Sequence, residues 1–93
     1  MIEERGFFGG KVKTLACDLK GEPFRVGVLL PGNYTFGTSG VEEIEIIQGT
    51  IEVALPDGSV KEFKKGETFT VEADRDYNLA IEKYPAAYLC IYK

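Results

Sequence analysis

The spacing of turn residues is the feature that most constrains how this 93-residue chain can fold. Short runs rich in Val, Ile, Tyr, Phe and Thr recur between Gly, Pro, Asn and Asp, and no helix of ordinary length is visible. This pattern is typical of an all-β sandwich or barrel. It predicts strands near residues 11–19, 24–30, 34–38, 42–47, 50–55, 60–64, 68–73, 77–82 and 86–92.

Residues 1–93 are predicted to form a single β domain, because the sequence has no linker, repeat or low-complexity segment. Only residues 1–6 are expected to be loose, as chain termini often are. A chain this short buries about two thirds of its unfolded surface and gains from burying more. We therefore expect a homodimer.

The charge distribution argues against nucleic-acid polymers as partners. The net charge is -4, and Lys and Arg alternate singly with Asp and Glu instead of forming a basic stripe. The N-terminal MIEERGFFGG has acids where a signal peptide has basic residues, and no segment approaches transmembrane length. We expect a cytoplasmic protein that does not associate with membranes.

The two cysteines are predicted to be buried, reduced thiols. Cys17 and Cys90 each lie in an apolar, strand-like run, without a C-x-x-C motif or a nearby histidine. Free cysteine is among the residues most often found in protein cores.

The stretch PGNYTFGTSGVEEIEIIQG has the spacing of a metal site but none of its histidines. Cupin barrels, which are double-stranded β-helices, are recognised by G-x5-H-x-H-x3-4-E-x6-G. Gly32 opens this motif here, and Thr38 and Gly40 stand where the histidines would be. Glu42 keeps its place ahead of Gly49. The skeleton resembles a cupin-like jelly-roll barrel that has lost its imidazoles.

A second cupin motif, G-x5-P-x-G-x2-H, is altered in the same way. Gly66 is present, Glu72-Ala73-Asp74 replaces P-x-G, and Tyr77 stands at the histidine position. The chain contains no histidine at all, and neither motif contains cysteine. A first-row metal held by carboxylate alone would be bound weakly and selected poorly, so we predict no metal and no cofactor.

Four blocks resemble the pyrimidine/purine nucleoside phosphorylase family of short cupins. They are FFGGKVKTL, VGVLLPGNYTFGTSGVEEIEIIQGTIEVALPDG, GETFTV and AAYLCIYK, which together span nearly the whole chain. The resemblance implies phosphorolysis, in which inorganic phosphate displaces the base from C1′ of a purine or pyrimidine nucleoside. The implied substrates are a nucleoside and phosphate, and the products are a free base and ribose 1-phosphate.

Glu42 and Glu43 are the candidate catalytic residues. Cleavage of an N-glycosidic bond develops oxocarbenium-like charge on the sugar, which a nearby carboxylate stabilises. Strand alternation allows at most one of the two to enter the barrel. Glu42 shares a face with Ile44 and Ile46, so we predict that Glu42 points inward.

The candidate substrate-binding residues carry hydroxyl groups or aromatic rings, which suit hydrogen bonding and stacking of a nucleoside. They are Tyr34, Phe36, Thr38, Ser39, Tyr77, Tyr88 and Tyr92. The alternative for the aromatic residues is packing in a core or interface, and the alternative for the two small hydroxyls is a turn.

Lys11 and Lys13 are the candidate phosphate-binding residues, because they are basic residues within the family-like block FFGGKVKTL. They lie two apart and so share one strand face, and the favoured alternative is a solvated face, because exposed Lys on an edge strand also discourages aggregation. Arg25 and Arg75 are further possibilities without support from a motif.

Two other functions remain open from the sequence. A non-catalytic cupin that binds a small metabolite is compatible with the same fold. A metal-free sugar or nucleotide isomerase would convert its substrate without needing phosphate.

Overall fold

The structure, a computed structural model, describes residues 1–93. It contains ten β-strands and one short 3-10 helix at Phe8–Gly10. The strands are β1 Glu3–Phe7, β2 Val12–Leu19, β3 Glu22–Leu29, β4 Gly32–Gly37, β5 Glu42–Gln48, β6 Thr50–Ala54, β7 Val60–Lys64, β8 Thr68–Val71, β9 Asp76–Ile81 and β10 Ala86–Tyr92. No helix has the length needed to cross a membrane.

The strands form two antiparallel sheets. The six-stranded sheet has the order β1-β2-β3-β10-β5-β8, and the four-stranded sheet has the order β4-β9-β6-β7. The last strand, β10, lies between β3 and β5 and pairs with both. Residues from the start, middle and end of the sequence are therefore neighbours in the centre of the larger sheet. The predicted all-β, cupin-like architecture is confirmed.

The core lies between the inner faces of the two sheets. Alternation decides which side chains reach it: in β6, Ile51 and Val53 are fully buried while Thr50 and Glu52 are exposed. Fifteen buried side chains form one cluster, drawn from both sheets. This shared core joins the sheets into a single sandwich.

The predicted strands correspond to β2 through β10, with ends that differ by a few residues. The turns have the expected chemistry. At the hairpin between β6 and β7, Gly58 has φ 90°, and the backbone N–H of Ser59 donates to Asp57 Oδ1 at 2.8 Å. Positive φ is readily available to glycine, and the Asp side chain replaces a missing backbone partner.

The N-terminal segment differs from the expectation that residues 1–6 are loose. Glu3–Phe7 form β1, which pairs with β2 from Glu3 opposite Ala16 to Phe7 opposite Val12. Every residue of β1 is exposed, so no apolar alternation marks the strand in the sequence. Backbone pairing along the sheet edge holds this segment instead of burial in the core.

Candidate functional site

Glu42 lies at the start of β5 with its side chain directed into the space between the sheets. It is 3% exposed, and Ile44 and Ile46 point the same way along the strand. The orientation predicted from strand alternation is therefore correct. A carboxylate this deeply buried needs polar partners, because taking a charge out of water is costly.

Three side chains contact one oxygen of this carboxylate, Oε1. Tyr77 donates its hydroxyl to Oε1 at 3.3 Å, and the Cys90 thiol donates at 3.4 Å. Arg25 places Nη2 3.5 Å from the same atom. Oε2 takes part in none of these contacts. One carboxylate oxygen is thus held by three side chains, whereas the other accepts none of these contacts.

Sheet register explains why these residues meet. On β10, Cys90 pairs with Arg25 of β3 on one side and with Ile44 of β5 on the other, while Tyr92 pairs with Glu42. The inward-facing side chains of β10 therefore lie between Arg25 and Glu42. Tyr77 reaches the same point from β9 in the opposite sheet.

Arg25 lies against two tyrosine rings of β10. Its Cζ is 5.8 Å from the centroid of Tyr88 and 5.6 Å from that of Tyr92, which is within the range of cation–π attraction. Arg25 Nε and Tyr88 Oη are buried without a hydrogen-bond partner. Buried polar atoms are rarely left unpaired, so two such atoms in one cluster are unusual.

Gly27 makes the position of Tyr88 possible. The two residues are paired across β3 and β10, and a Cβ atom on Gly27 would lie 2.7 Å from Tyr88 Cζ. Any side chain at position 27 would push the ring away from Arg25. The glycine is thus a packing requirement of the cluster formed by Arg25, Glu42, Tyr77, Tyr88, Cys90 and Tyr92, called here the Arg25–Glu42 cluster.

The surroundings keep the hydroxyl and thiol groups of the cluster neutral. Burial raises the pKa of Tyr88 and of Cys90 to about 12 each, and the Glu42 carboxylate adds to the effect at Cys90. Burial and Glu42 raise the pKa of Tyr77, and burial raises that of Tyr92. Burial opposes the charge on Arg25, but the neighbouring Tyr88 and Tyr92 leave its pKa above the ordinary value. The arginine therefore stays a cation beside neutral donors.

The predicted aromatic residues divide into two groups. Tyr77, Tyr88 and Tyr92 belong to the Arg25–Glu42 cluster, and Phe36 stacks on Tyr77 with ring centroids 5.9 Å apart. Tyr34 lies elsewhere: it is buried against Phe8 and donates its hydroxyl to the carbonyl of Leu30 at 2.7 Å. Its polar group already has a structural partner.

The small hydroxyl residues belong to a turn. Thr38 Oγ1 donates to the carbonyl of Glu72 at 2.6 Å and accepts from the backbone N–H of Arg75 at 3.0 Å, which ties the two loops together. Ser39 is exposed. Arg75 lines a separate surface hollow of about 340 Å³ with Asp57, Thr70 and Glu72. The structure does not bring these residues to the cluster.

The remaining predicted residues lie on the outer surface. Glu43 points away from Glu42 and is 3.9 Å from the ammonium group of Lys93. Lys11 and Lys13 are exposed, and Lys13 points outward because it alternates with the buried Val12 and Thr14. The structure does not place either lysine in the Arg25–Glu42 cluster.

Sequence reasoning gave Arg25 no motif support and treated Cys90 as a packed thiol. Cys90 is indeed buried, but it contacts Glu42; Cys17 is only half-buried, in contrast to the prediction. A signal for Arg25 does exist, since alternation in FRVGVLL puts Arg25, Gly27 and Leu29 on one face. This signal is easily missed, because the opposite face of the strand is more apolar and would be assigned to the core. That face carries Phe24, Val26 and Val28.

The donors of the cluster do not fit the divalent metal found in many cupins. Glu42 is its one carboxylate, the Cys90 thiol stays protonated, and the Arg25 cation lies 3.5 Å from the carboxylate. No group of three or more His, Cys, Asp or Glu side chains is arranged to hold a metal ion. The positive charge in the cluster comes from the Arg25 guanidinium, a group whose planar donors suit carboxylates and phosphates.

The sequence matches the family Pyrimidine/purine nucleoside phosphorylase over residues 2–92. The chain belongs to this family. A Vibrio vulnificus pyrimidine/purine nucleoside phosphorylase is 39% identical over 93 residues, covering 99% of both chains. A Cellvibrio japonicus protein of the same name is 36% identical over 94 residues, covering the whole of both. The family resemblance predicted from the sequence blocks is confirmed.

Solved structures show the same fold. A Vibrio parahaemolyticus protein of unknown function superimposes with a TM-score of 0.94 at 35% identity, covering 100% of this chain and 99% of that one. A cupin-2 domain protein from Rhodospirillum rubrum superimposes with a TM-score of 0.81 at 11% identity, covering 97% of this chain and 68% of that one. The second match shows the fold alone, and that fold is the cupin barrel.

Proposed function

We propose that the Arg25–Glu42 cluster is the site of nucleoside phosphorolysis. The observation that carries this proposal is the buried ion pair itself: one carboxylate and one guanidinium 3.5 Å apart, each with hydrogen-bonding capacity left over. Phosphorolysis needs a negative group near C1′ and a positive group for the nucleophile. The names of the relatives agree with this reaction.

Glu42 stabilises the sugar in the transition state. As the C1′–N bond breaks, its electron pair leaves with the base and positive charge develops on the ribose. A carboxylate preorganised in a buried site stabilises such charge far better than one in water. Tyr77 and Cys90 hold Oε1 in place, so that Oε2 can face the sugar.

Arg25 binds the phosphate that attacks C1′. A guanidinium offers several donors in a planar arrangement that matches phosphate oxygens, and cation–π contacts with Tyr88 and Tyr92 help to hold it in place. The unpaired Arg25 Nε and Tyr88 Oη are donors available to those oxygens. Arg25 thus takes the role first considered for Lys11 and Lys13.

The base stacks on the aromatic residues beside the cluster. Phe36 is half-buried and continues the stack begun by Tyr77 toward the outside of the barrel. Aromatic faces stack on purines and pyrimidines alike, because every base has a π-face. This arrangement fits broad tolerance of bases, as the name of the family implies.

The reaction is proposed to be independent of metals, since Arg25 supplies the positive charge that a metal would otherwise provide. The test is to incubate the purified protein with uridine, inosine or adenosine, with and without phosphate. Release of base only when phosphate is present supports phosphorolysis. Binding of nucleoside without release would favour a non-catalytic cupin, and conversion without phosphate would favour an isomerase.

A homodimer is proposed to form through the outer face of the larger sheet. The register places Leu15, Val26 and Leu89 in one row and Cys17, Phe24 and Ile91 in the next. Val28 is 54% exposed beside them. These apolar side chains on three adjacent strands are half-buried or exposed, and so large an apolar surface is unusual for a monomer.

A second copy fits this face by charge as well. Lys13 on β2 and Glu45 on β5 border the apolar rows on opposite sides, so a two-fold axis can place each opposite the other. Sedimentation should show a dimer, and Val28→Glu should give a folded monomer. Thr50→Glu, on the outer face of the other sheet, is the control. A wild-type monomer would contradict the proposal.

The protein is also proposed to work in the cytoplasm. Cys17 and Cys90 are both free thiols, as expected in a reducing compartment. Fractionation of cells that express the full chain would test this location.

A further inference from the structure

The charges within the Arg25–Glu42 cluster cancel. Arg25 projects from β3 and Glu42 from β5, and the other titratable groups that face them are Tyr77 from β9 and Tyr88, Cys90 and Tyr92 from β10. These four stay neutral at physiological pH, because burial raises each of their pKa values. The site therefore has one cation whose charge is already balanced by one anion.

Any oxyanion bound to Arg25 must also lie beside a carboxylate. Nη2 of Arg25 is 3.5 Å from Glu42 Oε1, a distance comparable to the width of the anion itself. A fully ionised oxyanion would bring its charge against Glu42 with no second cation to compensate. Like charges that are brought together away from water repel each other strongly.

The unused hydrogen-bonding atoms of the cluster favour an anion that is only partly ionised and still carries an O–H group. Arg25 Nε and Tyr88 Oη can donate, whereas Glu42 Oε2 can only accept. A ligand that satisfies all three atoms must present acceptor oxygens on one side and an O–H group on another. Hydrogen bonds from an O–H to a carboxylate are among the strong, charge-assisted kind.

We propose that this site binds phosphate in a form that carries an O–H group and discriminates against sulfate. Glu42 distinguishes the two anions by accepting a hydrogen bond from that O–H. The proposal rests on the phosphorolysis proposed above and specifies which oxyanion its Arg25 site accepts. The phosphate O–H donates to Glu42 while other oxygens accept from Arg25 and Tyr88. Arsenate, which is protonated like phosphate, meets the same requirement.

Sulfate is the discriminating ligand. It has nearly the same size and shape as phosphate but carries no proton near neutral pH, so against Glu42 it offers a lone pair where a donor is needed. A site built to pair a ligand O–H discriminates strongly against an analogue that lacks it, because the buried acceptor is left unpaired.

The test is a binding titration of the full chain by NMR, with phosphate, arsenate or sulfate as the ligand. The Arg25 Nε–H group is buried and free of a partner, which makes its resonance a reporter at the site itself. We expect phosphate and arsenate to shift this resonance, and sulfate to bind roughly tenfold more weakly or worse. Phosphate should keep its advantage over sulfate as pH rises through the second ionisation of phosphate, because the dianion still carries one O–H for Glu42.

Glu42→Gln identifies the discriminating group. Its amide can donate as well as accept and carries no charge, so sulfate should then bind within a few-fold of phosphate. Glu45→Gln removes a carboxylate from the outward face of the same strand and should leave the discrimination unchanged. If the Glu42 variant does not fold, the titration of the wild-type protein with the three anions still tests whether the site discriminates against sulfate.

The outcomes separate this inference from the proposed reaction. Equal binding of sulfate and phosphate, or no shift of the Arg25 resonance with any anion, would overturn the inference. Selective binding of phosphate without release of base would leave the inference standing and contradict phosphorolysis. Phosphate-dependent release of base, together with sulfate binding as tightly as phosphate, would support phosphorolysis and overturn the inference.

Discussion

Arg25 and Glu42 form an ion pair of 3.5 Å although their strands, β3 and β5, are separated by β10. The pair spans one intervening strand because Cys90 lies between the two and contributes only a thiol there. A larger side chain at that position would come between the charges. The register at the centre of the larger sheet therefore brings opposite charges together across a strand.

Glu42→Gln should lower kcat by about 100-fold or more, the loss typical when one group that stabilises transition-state charge is removed. The amide keeps the shape of the carboxylate but not its charge. Steady-state kinetics with uridine would measure the effect. Glu45→Gln, on the outer face of β5, is the matched control, and Glu43→Gln should be affected far less than Glu42→Gln. Similar losses in all three variants would contradict the assignment of Glu42.

Arg25→Lys should raise KM for phosphate by about tenfold and change KM for the nucleoside little. Lysine keeps the positive charge but loses the planar set of donors and the stacking on Tyr88 and Tyr92. Initial rates at varied phosphate would show this. Arg75→Lys, which alters an exposed arginine outside the cluster, should behave like wild type. An unchanged KM for phosphate in Arg25→Lys would argue that phosphate binds elsewhere.

Gly27→Ala should destabilise the protein by roughly 1–3 kcal/mol, the usual cost of overpacking a core. The new Cβ would lie 2.7 Å from Tyr88 Cζ, so the buried ring would have to shift. Urea unfolding would measure the loss. Gly6→Ala in β1 meets nothing within 4 Å and should be neutral. Equal stability of the two variants would show that Tyr88 can move without cost.

The free energy of unfolding should decline at high pH because the pKa values of Cys90 and Tyr88 are higher in the folded protein than in the unfolded chain. Their ordinary pKa values are 9.0 and 10.0, and both rise to about 12 in the folded protein. Below pH 9.0 both groups are protonated in both states and their contribution is fully present. From there to about pH 12 the unfolded chain releases protons that the folded chain retains, so the free energy of unfolding falls. Cys90→Ala should show a shallower decline in thermal melts, and an identical decline would contradict this origin.

The sequence predicted what depends on local pattern and could not predict what depends on register. Alternation along β5 correctly put Glu42 inside, and turn residues marked the strands from β2 onward. The meeting of Arg25 with Glu42 depends on which residues of three strands, distant in sequence, lie opposite one another. No local pattern contains that information.

The two faces of β3 illustrate the limit most clearly. Read alone, the apolar Phe24, Val26 and Val28 would be assigned to the core, yet they lie on the outer face while Arg25 and Gly27 face inward. Apolar side chains outside and a charge inside reverse the usual rule. Such a reversal is expected where a strand serves an interface on one side and a site on the other.

The measurement that tests the central claim most directly is the stoichiometry of phosphorolysis by chelator-treated protein. Uridine and phosphate would be supplied, with free uracil followed by chromatography and ribose 1-phosphate by phosphorus NMR. We predict equal amounts of the two products, none without phosphate, and no change in rate on adding divalent cations. Release of base without phosphate, or activity that returns only with a metal ion, would contradict the account.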